Sequence, residues 1–239
     1  MQNISSVLRK KIFKRHDFQF QELESEYIDG QRYYMTPTGE KYPSVTTVLS
    51  SLSKDGIKKW RQRVGEEAAN KIVKQAASRG TQLHNMCEKY MLNIDNFAEK
   101  SMPLIIEMFK SIQPYIDRVD EVYGNEIPLF SHDLKTAGRS DLFCSINNRK
   151  CILDFKSSSK PKKEEWIESY FLQATTYAMM IRELTEIEVP KLAILIAVEG
   201  DQPQFFIKNT KEYEDKVREL FFNYHINKGL YEHQGNKLY

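Results

Sequence analysis

The chain has 239 residues, 41% of them hydrophobic, which is enough for a sizeable core and argues against disorder as its default state. Lys plus Arg exceed Asp plus Glu by only 35 to 33, so attraction to a polyanion must come from local clusters and not from the net charge of +2. No apolar run approaches the roughly 18 residues of a membrane-spanning helix and no signal-peptide core follows the start, while Cys87, Cys144 and Cys151 lack the paired spacing of a zinc ribbon or disulfide framework, which fits a reducing compartment.

Taken in chain order, the first sixteen residues hold five Lys or Arg and no acid, with Ile4, Val7, Leu8 and Ile12 at helical spacing. They predict an amphipathic helix, packed or touching nucleic acid; an unusually short organelle transit peptide is the alternative, and with it a mitochondrial matrix location in place of a cytoplasmic one. Residues 26 to 44 read as a strand pair around Asp29-Gly30, with a second turn in "TPTGEKYP". Ser44 then stands as an N-cap to "VTTVLSSL". "EEAANKIVKQAAS" sets Ala68, Ile72 and Ala76 on one helical face until Arg79-Gly80 interrupts it, and the helical pattern restarts from Thr81 through His84, Glu88 and Met91. A further helix spans residues 103 to about 119. Short β-like runs follow in "DEVYGNEIPLF", "GRSDLFCSI" and "RKCILDFK", then a helix over "EEWIESYFLQATTYAMMIREL", strands in "KLAILIAVEG" and "PQFFIKN", and a closing helix. This order points to an α/β or α+β fold around a mixed sheet.

The run "GRSDLFCSINNRKCILDFKSSSK" carries the most chemistry. Asparagine tolerates positive φ, so Asn147-Asn148 is a natural two-residue turn, and counting outward sets Cys144 opposite Cys151 and Asp141 opposite Asp154. Lys156 shares the aspartates' face, whereas Phe155 and the two cysteines fall on the other. Facing carboxylates at about 5 Å repel unless something positive lies between them, and a divalent cation is the obvious candidate. Carboxylate oxygens suit Mg²⁺ or Mn²⁺, and a lysine beside them steadies charge developing on a phosphate. The plain alternative is a same-face ion pair of Asp154 and Lys156 on an exposed strand.

From "YPSVTTVLS" through "KKWRQRVGEEAANKI", "SRGTQLH", "GRSDLF" and "LDFK" to "QATTYA", the chain resembles the PD-(D/E)XK nuclease superfamily in its RecB-like branch. Within that branch it is similar to the mitochondrial genome maintenance exonuclease family and its phage and bacterial relatives. The resemblance implies a restriction-endonuclease-like core over residues 81–239, with an N-terminal hairpin and helical DNA-binding elaboration over 1–80. It implies that His84, Asp141, Asp154 and the carbonyl of Phe155 hold one or two Mg²⁺ or Mn²⁺ ions, that Lys156 is the signature lysine, and that Gln173 and Tyr177 lie near it. Glu126 matches an acid often found one strand earlier, and Glu88 is placed to orient His84 or simply to face solvent. The superfamily's leading Pro-Asp is absent, Leu153 preceding Asp154. Three scattered cysteines do not supply the four ligands of an iron–sulfur cluster.

For substrate contact, "KDGIKKWRQR" and "KSSSKPKK" are the basic clusters, the second directly after the proposed site. Lys160, Lys162, Lys163 and Arg79 are candidate phosphate contacts, as are Ser44 and Thr46 at a helix start. Trp60, Tyr177, Tyr33 and Tyr34 are candidate stacking residues for unpaired bases, although packing in a core is the commoner fate of such rings. The expected activity is a metal-dependent exonuclease on DNA ends, preferring single or frayed strands, alone or recruited by a replication or repair protein and with no membrane partner. A structure-specific endonuclease and a DNA-end-binding component without activity are the alternatives, and oligomeric state is left open.

Overall fold

The computed structural model describes residue 8 and residues 11–229 apart from 17. The amphipathic helix expected at the start therefore lies mostly outside the described residues. Within that stretch Lys14–Arg15 is instead a short strand, β1, with Phe13 buried and Ile12 exposed. β2 (Ser25–Ile28), β3 (Gln31–Met35) and β4 (Lys41–Pro43) form a three-stranded sheet. Asp29 and Gly30 both adopt positive φ (50° and 73°), as the two-residue hairpin turn requires.

Three helices follow: α1 (Val45–Ser50), α2 (Lys54–Val64) and α3 (Glu66–Met91). α3 runs unbroken through Arg79-Gly80, where the sequence predicts a break. A glycine inside a helix costs only about 1 kcal/mol against alanine, and the packing of the following turns outweighs that. Those turns bury Leu83, Met86, Cys87, Tyr90 and Met91. Before Gly80 only Ala69 is buried, and Ile72 is 48% exposed, so the apolar face read around Ala68 and Ile72 is largely open.

The second sheet has six strands in the order β1-β5-β6-β7-β8-β9, formed by β5 (Val119–Ser131), β6 (Thr136–Ile146), β7 (Arg149–Ser158), β8 (Lys191–Val198) and β9 (Gln204–Asn209) together with β1. β6 runs antiparallel to both of its neighbours, β5 and β7, while β7 and β8 are parallel and β8 and β9 antiparallel. The parallel pair is joined through α5 (Glu168–Thr185). Helices cover both faces, which is why the inner strands read as near-continuous apolar runs. On one face Leu142, Cys144, Leu153, Phe155 and Leu195 pack with α3 and α4 (Pro103–Ile116). On the other, Phe143, Ile152, Ile194 and Ile196 pack with α1, α5 and α6 (Glu214–Asn227). The expected mixed α/β architecture, a central sheet flanked by helices with an N-terminal hairpin, is what the chain forms. Among the described residues no helix is long and apolar enough to cross a membrane.

Candidate active site

Three adjacent strands carry the acids. The β6–β7 register is the one the Asn147-Asn148 turn dictates, with both asparagines at positive φ (51° and 58°), Cys144 opposite Cys151 and Leu142 opposite Leu153. Beyond Leu142 and Leu153 the ladder stops. There Asp141 Oδ2 accepts a hydrogen bond from the Phe155 N–H at 2.7 Å, so a side chain replaces a ladder carbonyl. On the other side of β6, Asn125 pairs with Leu142 and Ile127 with Ser140, which puts Glu126 opposite Asp141. Glu126 adopts φ 52°, a strained conformation for a residue with a Cβ, and Arg139 holds it there by donating to the Glu126 carbonyl at 2.6 Å.

The last third of α3 brings His84 to the same point. His84 Nδ1 lies 3.4 Å from Asp141 Oδ2, and the ligand atoms of His84, Glu126 and Asp141 all fall within 4.8 Å of one another. Burial, reinforced by the Asp141 charge, pushes the Glu126 carboxyl up to about 7. Burial alone would lower His84, but Asp141 outweighs it and raises the imidazole to about 9. For Asp141 burial likewise opposes, and the adjacent His84 prevails, holding the carboxyl below its ordinary range.

Asp154 is 1% exposed, its Oδ2 2.5 Å from Lys156 Nζ. Lys156 engages this carboxylate through Oδ2, and Oδ1 accepts no hydrogen bond among the described residues. Burial pushes Asp154 up; Lys156 is also raised, burial working against the shift and the two aspartates producing it. Lys156 Nζ donates to Gln173 Oε1 at 3.2 Å and stands 5.2 Å from the centre of the Tyr170 ring.

The donor set fits a hard or borderline divalent cation: one imidazole and two carboxylates converge, and a buried carboxylate close by has an oxygen to spare. The arrangement redistributes the roles expected from sequence. Glu126 joins His84 and Asp141 in the three-group cluster, whereas Asp154 falls outside it and faces Lys156. Phe155 is buried and contributes its N–H to Asp141. Glu88, one turn beyond His84, is half-buried and acts on Glu126 through its charge.

Several substrate candidates are already committed elsewhere. Tyr177 is 2% exposed, so its ring has no free face for a base; it packs on Gly138 of the "GRSD" run. A Cβ built on Gly138 would lie 2.9 Å from Tyr177 Oη and 3.3 Å from Val45 Cγ2. Gly138→Ala is therefore expected to destabilise the fold by about 1–3 kcal/mol through overpacking. A thermal melt checks it, and an unchanged midpoint would show that the Tyr177 ring yields freely. Ser44 is buried and caps α1, its Oγ accepting from the Thr47 N–H and contacting the Thr46 and Thr47 hydroxyls, so it is not open to a phosphate. Tyr34 is buried as well, while Thr46 is exposed and Tyr33 and Trp60 are partly exposed. Arg79 pairs with Glu199 at 3.2 Å with its side chain 13% exposed. Lys160 and Lys163 are exposed and Lys162 is half-buried. Two positions escaped the sequence reading: Arg139, which braces Glu126, and Tyr170, which precedes Gln173 and Tyr177 at helical spacing on α5 and so carried a legible signal.

No family model matches the chain. Mitochondrial genome maintenance exonuclease 1 of Xenopus tropicalis is 24% identical over 128 residues, covering 50% of this chain and 37% of that protein. Its Homo sapiens counterpart is 26% identical over 147 residues, covering 56% and 42%. The matches thus span about two fifths of those relatives' length. A solved structure from Eubacterium rectale, of a proposed exonuclease, aligns over 64% of this chain and 69% of its own at 15% identity and a TM-score of 0.42. The two curated similarities support a nuclease-like family.

Proposed function

We propose that the chain is a metal-dependent deoxyribonuclease hydrolysing phosphodiester bonds at DNA ends, with a preference for single strands, in replication, repair or recombination. One observation carries this reading: the ligand atoms of His84, Glu126 and Asp141 converge within 4.8 Å on the patch of sheet where Lys156 is held against Asp154. The names of the curated relatives support it.

His84, Glu126 and Asp141 would hold the cation, with Asp154 as the neighbouring carboxylate. A bound Mg²⁺ or Mn²⁺ ion supplies Lewis acidity toward a phosphate and makes water a better nucleophile. The chain's own groups do the rest. Lys156 presents a fixed positive charge to phosphate oxygens as their charge grows in the transition state. Asp154 and Gln173 hold that ammonium in place from two sides, so little reorganisation accompanies the reaction. His84 ligates only after Nδ1 or Nε2 is free of its proton, and Glu126 only as the carboxylate.

The test is digestion of end-labelled oligonucleotides with Mg²⁺, Mn²⁺ or EDTA, using 5′-blocked, 3′-blocked and circular single strands. Metal-dependent release of nucleotides from open ends is expected, with circles resistant. Cutting of circles would replace the exonuclease with an endonuclease; no cleavage with either ion would overturn the assignment.

A further inference from the structure

The segment leaving β7 carries an aromatic residue that the reaction centre does not use. Trp166 closes a short 3₁₀ turn (Glu164–Trp166) ahead of α5 and is 62% exposed. It stands four residues before Tyr170, whose ring lies against Lys156, with the non-helical Ile167 between the 3₁₀ turn and α5. Lys163 Nζ is 5.1 Å from the centre of the indole ring.

The charges around this ring are unevenly satisfied. Glu164 pairs with Lys208, Glu165 with Lys163 and Glu168 with Lys216, so each nearby acid is neutralised. Lys160 and Lys162 have no carboxylate partner among the described residues. Their backbone is nevertheless fixed: Ser158 Oγ donates to the Lys160 carbonyl at 2.6 Å, and Gln204 brackets Lys162, accepting from its N–H at 2.7 Å and donating to its carbonyl at 2.8 Å. A backbone-anchored segment thus carries two lysines without a carboxylate partner among the described residues, a few positions ahead of an exposed indole. Aromatic faces interleaved with lysines bind single strands because every base has a stacking face and every linkage a charge.

The geometry points to Trp166 as a base-stacking platform for single-stranded DNA, with Lys160 and Lys162 as its phosphate contacts, on the approach to Lys156. The inference rests on the nuclease reading for its ligand, but its test is separable from cleavage. The chain has two tryptophans, so Trp60→Phe leaves Trp166 as the single indole reporter. Titrated in EDTA with an oligothymidylate, that variant is expected to show saturable quenching, whereas an abasic strand of equal length and charge does not quench. In the parent chain Trp166→Ala weakens oligothymidylate about 10-fold and leaves abasic-strand affinity unchanged, and Trp166→Phe restores most of the loss. Binding by anisotropy without quenching, or equal affinity for Trp166→Ala and parent, overturns the platform. Quenching by a protein that cleaves nothing with Mg²⁺ or Mn²⁺ supports the platform and sinks the nuclease; cleavage without quenching does the reverse.

Discussion

On the proposed function, Lys156→Ala is expected to cleave an end-labelled single strand about 10³-fold more slowly than the parent while still binding it, the scale for removing one fixed charge aimed at a transition state. The size follows from how firmly that charge is held. Lys156 Nζ is fixed by Asp154 Oδ2 at 2.5 Å and Gln173 Oε1 at 3.2 Å, with the Tyr170 ring as a third neighbour, so its ammonium is already in place before substrate arrives. Removing it leaves Asp154, 1% exposed, without its nearest cation. A carboxylate abandoned in the interior costs several kcal/mol if it stays charged. Asp154 has an escape, because burial already pushes its carboxyl upward and it can take a proton. The variant should therefore melt near the parent at pH 5 and progressively below it toward pH 8. Single-turnover rates alongside melts at both pH values separate lost chemistry from lost folding, and cleavage at the parental rate removes Lys156 from the mechanism.

The parts of this site that were legible in the sequence are those fixed by local rules. Two asparagines forced a two-residue turn, the turn forced the register, and strict alternation then placed Asp141, Asp154 and Lys156 together. Ser44 announced a helix start by the same kind of short-range logic, although its hydroxyl is spent on the cap. What could not be read depends on contacts distant in the chain. Nothing local shows that Glu126 takes a left-handed backbone, a conformation braced from the neighbouring strand by Arg139, which donates to its carbonyl. Nor does the run around Gly80 reveal an unbroken α3, whose continuity comes from Leu83 to Met91 packing on the sheet. Tyr177 carried the right spacing to Gln173, but its burial follows from the absence of a side chain at Gly138, almost forty residues earlier on another element. Exposure was the least legible property: Trp166 is the more open of the two tryptophans, and periodicity does not distinguish it from Trp60.

Without divalent cations the protein should lose thermal stability as pH rises from about 5 to about 9, and a cation should reverse the trend. His84 is raised from its ordinary 6.5 to about 9, so the stability it contributes is fully present below 6.5 and is lost as pH climbs through 9. Glu126 is raised from 4.5 to about 7: the folded state binds this proton more tightly than the unfolded chain, and that advantage disappears between those values. Asp154 shifts in the same sense through burial. Asp141 is lowered from 3.8, so its contribution is lost only in acid, below the window considered. In EDTA these shifts act together, giving a fall in melting temperature on the order of 10 °C across the range. A divalent cation competes for the same atoms and binds only their deprotonated forms, so its stabilisation must grow over the interval in which the free protein weakens. Melts in EDTA and in millimolar Mn²⁺ at successive pH values measure both slopes. Glu126→Gln and His84→Ala should each flatten the slope in EDTA and shrink the cation's effect at pH 8. A cation shift that is absent, or constant with pH, would mean that these three side chains meet as an internal ion pair with a protonated neighbour and do not form a metal-binding site.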